Sequence, residues 1–275
     1  MTHNMPARSI ILAICLLLPG SAFSSLVDVP DIIKSEVPAP EIDARSWILV
    51  DYETGWILGG KDVDLPIEPA SLTKLMTSYL VFDALESGEI LLDDMVYVSK
   101  KAWKTPGSKM FIRVDTRVSI VDLMQGLIIQ SGNDASVALA EHIAGTEEGF
   151  AIRMNLMAAK LGMVNTSFRN SSGLPEENHY STARDLTLLS ISLIRRFPEL
   201  YKYYSQAEFT YNDITQQNRN VLLSRDPTVD GIKTGYTKNA GYCLIGTANR
   251  EGVRMVATVT GSESRSSRAN QVQSL

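Results

Sequence analysis

The chain has 275 residues, 44% of them hydrophobic and 21% charged, with a formal net charge of −5. Those proportions fit a soluble globular protein, long enough for one large domain or two modest ones and for a substantial core. A mildly acidic balance without a long basic run sets nucleic-acid binding aside. With only Cys15 and Cys243 present, a disulfide scaffold is excluded as well.

The N-terminal stretch MTHNMPAR carries an arginine, IILAICLLL is unbroken apolar sequence, and Pro19-Gly20 leads into small residues from Ser21 to Ser25. That order predicts a secretory signal peptide over residues 1–24, with cleavage near Ala22 to Ser24. The apolar run is short for a membrane span. Cleavage would leave Cys243 alone, which suits export to a bacterial periplasm, so the sequons at Asn165 and Asn170 carry no weight. Residues 25–45, rich in proline and charge, read as an extended lead-in.

SWILVDY and WILGGK flank Glu53-Thr54-Gly55 and predict a hairpin. After Pro69, Leu72, Leu75, Met76, Tyr79 and Phe82 recur at helical spacing until Gly88. A second helix is predicted from Ser119 through VDLMQGLIIQ and a third over ASVALAEHIAG. FAIRMNLMAAKLGM and TARDLTLLSISLIRRF are two more, separated by the turn-rich loop NSSGLPEENHYS. The last third changes period: VDGIKTGYT, GYCLIGTAN and, after Arg250-Glu251-Gly252, VRMVATVTG read as strands. Strands at both chain ends with helices between them imply an α/β fold. A mostly antiparallel sheet is built from the two termini, with helices on its faces and an inserted helical cluster.

Ser71 and Lys74 stand three residues apart where the first helix begins, so they share a face. A serine hydroxyl needs a base. The chain has no G-x-S-x-G elbow, and only His142 and His179 lie beyond the signal segment. Lysine serves as the base when its amine is neutral, which requires burial or a neighbouring cation such as Lys233. S-x-x-K alone is weak, since about one match is expected by chance in a chain of this length, and a capping serine with a solvated lysine gives the same pattern. Ser131-Gly132-Asn133 could be a plain helix stop, and Lys233-Thr234-Gly235 a solvated strand entry. All three motifs in this order are a strong signal. Cys243 reads as core and His142 as a helix-surface residue, and no histidine or cysteine spacing suggests a metal or other cofactor.

PASLTKLMT, QSGNDASVALAEHIAG, NSSGLPEENHYSTARDL, NRNVLL and VDGIKTGYTKNAGYCL resemble the exported D-alanyl-D-alanine carboxypeptidases, the low-molecular-weight penicillin-binding proteins. The resemblance runs from about Val37 to the C-terminus and implies a β-lactamase/transpeptidase-like domain over residues 46–275. It implies removal of the terminal D-alanine from peptidoglycan pentapeptide stems through an acyl-enzyme, inhibition by β-lactams, and residence in the periplasm or at the outer face of the inner membrane. By the same resemblance Ser71 is the nucleophile, Lys74 its base and Ser131 a proton relay to the leaving amine. Asn133 holds the substrate peptide, while Lys233 and Thr234 line the opposite wall near the substrate carboxylate. The backbone N–H groups of Ser71 and Tyr236 form the oxyanion hole. Arg268 receives the terminal carboxylate, and Asp185 and Arg219 form a charged pair tying the mid-chain loop to the site edge.

Two features depart from the family pattern. Tyr236 stands where many members have histidine. The sequence also stops at ANQVQSL, where members usually continue into a small β-rich domain and a membrane-binding tail, so membrane association is expected only with such a tail. Three alternatives stay open: a D,D-endopeptidase with the same motifs, a β-lactamase, and a non-catalytic penicillin-binding sensor. A β-lactamase of class A would carry S-D-N and a deacylating glutamate, for which only Glu176 and Glu177 in the mid-chain loop are candidates.

Overall fold

The computed structural model describes residue 1, residue 38 and residues 40–275. The predicted signal segment, with Cys15, and most of the lead-in lie outside the described residues. Asp51 starts the first turn: its carboxylate accepts from the Thr54 N–H at 2.7 Å, and Gly55 takes a positive φ of 76°. Strands β1 (Ser46–Asp51) and β2 (Ile57–Lys61) form the predicted hairpin on either side. The other edge of β1 pairs with the C-terminal strand β9 (Val253–Ser262), which continues through β8 (Gly241–Arg250) to β7 (Val229–Thr237). The sheet order is β2-β1-β9-β8-β7, antiparallel throughout, so the expected sheet built from both termini is present.

Helix α6 (Ala183–Arg196) covers one face, where Thr187 and Thr258 hydroxyls meet at 2.6 Å. Helix α9 (Arg265–Ser274) covers the other, packing Ala269 and Val272 against Leu244, Val259 and Leu222. Helix α1 (Lys74–Ser87) runs between the sheet and the helical cluster. Leu75, Met76, Tyr79 and Phe82 are buried as their spacing predicts, but so are Thr77, Ser78, Leu80 and Val81. A stretch enclosed on all sides, as residues 74–82 are, has no solvent face to keep polar. Each buried leucine or phenylalanine there contributes roughly 1.5–3 kcal/mol, so the scaffold beneath the site is rigid.

The inserted cluster comprises α2 (Lys100–Lys104), α3 (Ile120–Gln125), α4 (Asn133–Ala144) and α5 (Glu147–Leu161). Two small ladders escape a sequence reading: β3 (Met95–Tyr97) with β4 (Arg117–Ser119), and β5 (Glu208–Tyr211) with β6 (Ile214–Gln217). The short helices α7 (Pro198–Tyr201) and α8 (Leu222–Arg225) escape it too. Segments this short show too few periods to register.

The helix expected over 119–130 is not continuous. Past Gln125 it widens into a π-helical turn, Gly126–Gln130. Gly126 lies against Met110, whose Sδ would be 2.3 Å from any Cβ placed there, and its carbonyl accepts from the Gly132 N–H at 2.9 Å. The widened turn ends with Ser131 in the left-handed region, at φ 65° and ψ 36°. Such turns often mark functional sites.

A second constraint holds residues 170–173 against the start of α1. Thr77 and Ser136 both donate to the Ser171 carbonyl, at 2.6 and 2.7 Å. Gly173, at φ 82°, would bring a Cβ to 1.7 Å from the Ala70 carbonyl oxygen. Gly173→Ala is therefore expected to cost about 2–4 kcal/mol of stability and to slow acylation of Ser71. Thermal denaturation with a covalent-labelling assay checks this, and a stable, normally labelled variant would show that the loop yields without disturbing α1.

Candidate active site

Pro69 and the turn Ala70–Thr73 lead into α1 and put Ser71 one residue before a buried stretch, with its side chain half exposed. Strand β7 runs alongside because Gly235 has no side chain: a Cβ there would stand 3.3 Å from the Pro69 carbonyl and the Leu72 side chain. Thr234-Gly235 thereby faces Ser71 across a cleft of about 430 Å³, lined also by Ser131, Tyr236, Arg219, Arg265 and Arg268, with Lys233 buried behind it.

Lys74 is 1% exposed. Its Nζ lies 3.0 Å from Ser71 Oγ, 2.7 Å from Asn133 Oδ1 and 2.6 Å from the Ser172 carbonyl oxygen. Burial lowers its pKa to about 7, assisted by the Arg219 charge and opposed by Asp134. Arg219 is the cation that lowers it; Lys233, expected in that role, repels the same amine, and of that pair Lys233 is the one pushed down. Lys233 is itself buried and held well below the usual lysine value, first by burial and then by the charges of Lys74, Arg219 and Arg268.

A neutral amine has two N–H bonds and one lone pair. The Asn133 and Ser172 oxygens take the two hydrogens, which leaves the lone pair for the Ser71 hydroxyl. Asn133 is fixed in that sense because its Nδ2 donates to the Pro106 carbonyl at 2.6 Å. Asp134, adjacent and buried, turns its carboxylate to the backbone N–H groups of Met110, Phe111 and Ile112 at 3.0, 3.0 and 3.3 Å. Ser131 Oγ is buried without a hydrogen-bond partner among the described residues and lines the same cleft. A hydroxyl held so leaves its donor and acceptor capacity for a substrate.

Arg268 projects from α9, 7% exposed, and donates to the Gly235 and Cys243 carbonyls at 2.9 and 3.2 Å. Its guanidinium lies 5.6 Å from the Tyr242 ring centroid. Tyr236 is 53% exposed, its ring centroid 4.3 Å from that of Tyr242, so its side chain forms the cleft rim. Ser71, Lys74, Ser131, Asn133, Lys233, Thr234, Tyr236 and Arg268 thus converge on one region.

The expected Asp185–Arg219 pair does not form. Asp185 sits in the first turn of α6 and accepts from the Asn165 N–H and Thr166 hydroxyl at 2.9 and 2.6 Å. It ties the mid-chain loop to that helix, while Arg219 Nε donates to the Gln130 carbonyl at 2.8 Å. His179 is a strut: its Nε2 lies 3.0 Å from Thr73 Oγ1 and burial lowers its pKa to about 4. Cys243 is buried, which pushes its thiol up to about 11, and His142 is exposed, both as expected. Sequence reasoning missed the Ser172 carbonyl, a backbone acceptor with no residue signature, and Arg265, which reads as part of a polar tail.

Residues 33–264 match the family model described as D-alanyl-D-alanine carboxypeptidase. The chain is 45% identical over 268 residues to the Escherichia coli D-alanyl-D-alanine carboxypeptidase DacC, covering 94% of this chain and 67% of that protein. It spans about two thirds of the length of the curated relatives it matches. Penicillin-binding protein 6B of Escherichia coli superposes with a TM-score of 0.84 at 44% identity, over 89% of this chain and 79% of that one. Ampicillin-bound penicillin-binding protein D2 of Listeria monocytogenes superposes with a TM-score of 0.80 at 32% identity, over 86% and 98%. By its three motifs, its fold and these likenesses, the chain belongs to the D-alanyl-D-alanine carboxypeptidase family.

Proposed function

We propose that the protein is an exported serine D,D-carboxypeptidase that removes the terminal D-alanine from peptidoglycan pentapeptide stems and is acylated by β-lactams. The observation that carries this reading is the Lys74 amine, 3.0 Å from Ser71 Oγ with its other two positions filled by carbonyl oxygens. Ser71 Oγ attacks the carbonyl carbon of the penultimate D-alanine, and its proton passes to Lys74 Nζ. The carbonyl electron pair moves onto oxygen, where the N–H groups of Ser71 and Tyr236 stabilise the charge. Collapse breaks the C–N bond. Ser131 hands a proton to the departing D-alanine amine and takes one back from Lys74 Nζ, and water then cleaves the Ser71 ester.

Asn133 and Thr234 hold the peptide and Lys233 backs the opposite wall, while Arg268 receives the free carboxylate. Against the β-lactamase reading, no carboxylate among the described residues lines the Ser71 cleft. Glu176 accepts from Asn170 Nδ2 at 3.0 Å and lines a separate depression with Lys104. A β-lactam ester on Ser71 thus lacks a glutamate to activate water, and it should persist. No helix among the described residues is long and apolar enough to cross a membrane.

Release of D-alanine from a peptide ending in D-Ala-D-Ala tests the proposal. Ser71→Ala should abolish both that release and covalent penicillin labelling while keeping the fold, and Lys74→Arg should be nearly inactive because a guanidinium stays protonated. An adduct mapped to Ser131, or a fast arginine variant, would overturn these roles.

Acylation needs neutral Lys74, so its rate should fall on the acid side of about pH 7, where the amine gains its proton. Removing a neighbouring positive charge favours the protonated amine. Arg219→Gln should therefore move the acid limb of the pH–rate profile to higher pH. A limb that stays in place or moves down would remove Arg219 from this role.

Arg268→Ala should weaken turnover of D-Ala-D-Ala peptides by on the order of 2 kcal/mol, the worth of a charge-assisted hydrogen bond. Amidating the substrate's terminal carboxylate should harm the wild type by a similar amount and scarcely affect the variant. Equal amide penalties in the two proteins would show that Arg268 does not grip that carboxylate.

A further inference from the structure

The cleft beyond Thr234 holds more positive charge than one substrate carboxylate requires. Arg219, Arg265 and Arg268 all line it, and no aspartate or glutamate does. None of the three forms an ion pair with a described residue: Arg268 donates to two backbone carbonyls, Arg219 to one, and Arg265 has no hydrogen-bond partner. They repel one another as well, since Arg265 lowers the pKa of both Arg219 and Arg268. Arg265 opens α9 and is exposed, so it stands at the rim, whereas Arg268 one turn later is buried. Arginines elsewhere take ion-pair partners where an acid lies in reach, as Arg254 with Asp230 at 2.6 Å and Arg184 with Asp64 at 2.7 Å show. Uncompensated guanidinium groups in a concave site favour an anion from outside.

We propose that Arg265, with Arg219, forms a second anion site that selects leaving groups carrying a carboxylate in addition to the terminal one. This rests on the carboxypeptidase reading, in which Arg268 takes the terminal carboxylate. The second carboxylate has two chemical sources. One is the side chain of an acidic D-amino acid in the terminal position. The other is a second stem peptide joined through a cross-link, whose own C-terminal carboxylate lies further along the cleft. Arg219 fixes the inner edge of this site through its bond to the Gln130 carbonyl. Arg265, free at the rim, meets the longer group first.

The test measures kcat/KM for peptides ending in D-Ala-D-Ala, D-Ala-D-Glu, D-Ala-D-Gln and D-Ala-D-Lys, and for a cross-linked stem dimer, in the wild type, Arg265→Gln and Arg265→Glu. D-Glu and D-Gln differ only in charge, so their ratio isolates the second carboxylate. That ratio should favour D-Glu by roughly fivefold in the wild type, as expected for a partly exposed charge pair, and it should shrink with added salt. It should approach one in Arg265→Gln, and Arg265→Glu should prefer D-Lys. A merely structural role for Arg265 would not invert the preference. An Arg265-dependent rate on the dimer without a D-Glu preference would identify the cross-linked stem as the source and support the site. Turnover of D-Ala-D-Ala with no charge preference and no Arg265 dependence on any substrate overturns the second site and leaves the carboxypeptidase reading standing. No D-alanine release from the neutral peptide, with Ser71 still labelled by penicillin, overturns both.

Discussion

An ammonium group loses several kcal/mol of hydration when buried, and at Lys74 the fold supplies three neutral oxygens in return, with no carboxylate among them. Hydrogen-bond acceptors without a full negative charge satisfy the N–H groups and leave the proton loosely held, which is why the pKa falls to about 7. Everything near the site serves that arrangement. The Ser172 carbonyl reaches Lys74 only because Gly173 lets the loop lie on Ala70. Asn133 reaches it because the π-helical turn ends helix α3 early and starts α4 at that residue. Ser71 is in range because it stands three residues before Lys74 on the same turn, on which Gly235 lets strand β7 close.

The cost of this arrangement is electrostatic. Lys74 and Lys233 are both buried, and Arg219, Arg265 and Arg268 surround the cleft without an acid lining it. Lysines with depressed pKa values and arginines without ion pairs subtract from stability, and active sites are where such losses collect. The scaffold offsets them elsewhere. Residues 74–82 of α1 are enclosed on all sides, and Tyr79 and Phe82 meet the Phe197 ring edge-on at 5.0 and 5.6 Å. Arg196 bridges Asp83 and Glu86 over the same cluster.

Much of this was legible in the sequence because it depends on residue identity at fixed spacing. The strand pattern at both chain ends gave the sheet order its logic, and Ser71, Lys74, Ser131, Asn133, Lys233 and Thr234 sit in motifs that the fold brings together. Illegible were features set by backbone geometry or by distant packing. The π-helical turn follows from Met110 pressing on Gly126, a contact sixteen residues apart that periodicity cannot register. The Ser172 carbonyl has no side-chain signature. The charged pair expected between Asp185 and Arg219 failed because Asp185 is drawn to the Asn165 N–H and the Thr166 hydroxyl, some twenty residues upstream. Neutral donors within hydrogen-bond reach satisfy a buried carboxylate without a cation. Arg265 was hidden for a different reason: a polar tail sequence reads as solvated until the helix it opens is seen against the cleft.

Asp134 shows how the site keeps a necessary acid harmless. It follows Asn133 directly and is buried, and its charge raises the Lys74 pKa. Aimed at the amine, that carboxylate would bind the proton tightly and leave Lys74 a permanent cation. It is aimed instead at three successive N–H groups, those of Met110, Phe111 and Ile112, which absorb its charge while holding the loop that backs the π-helical turn. A single step along the backbone thus separates two tasks that look alike in sequence. The amide at 133 touches the amine without claiming its proton, and the acid at 134 fixes the wall that positions the amide.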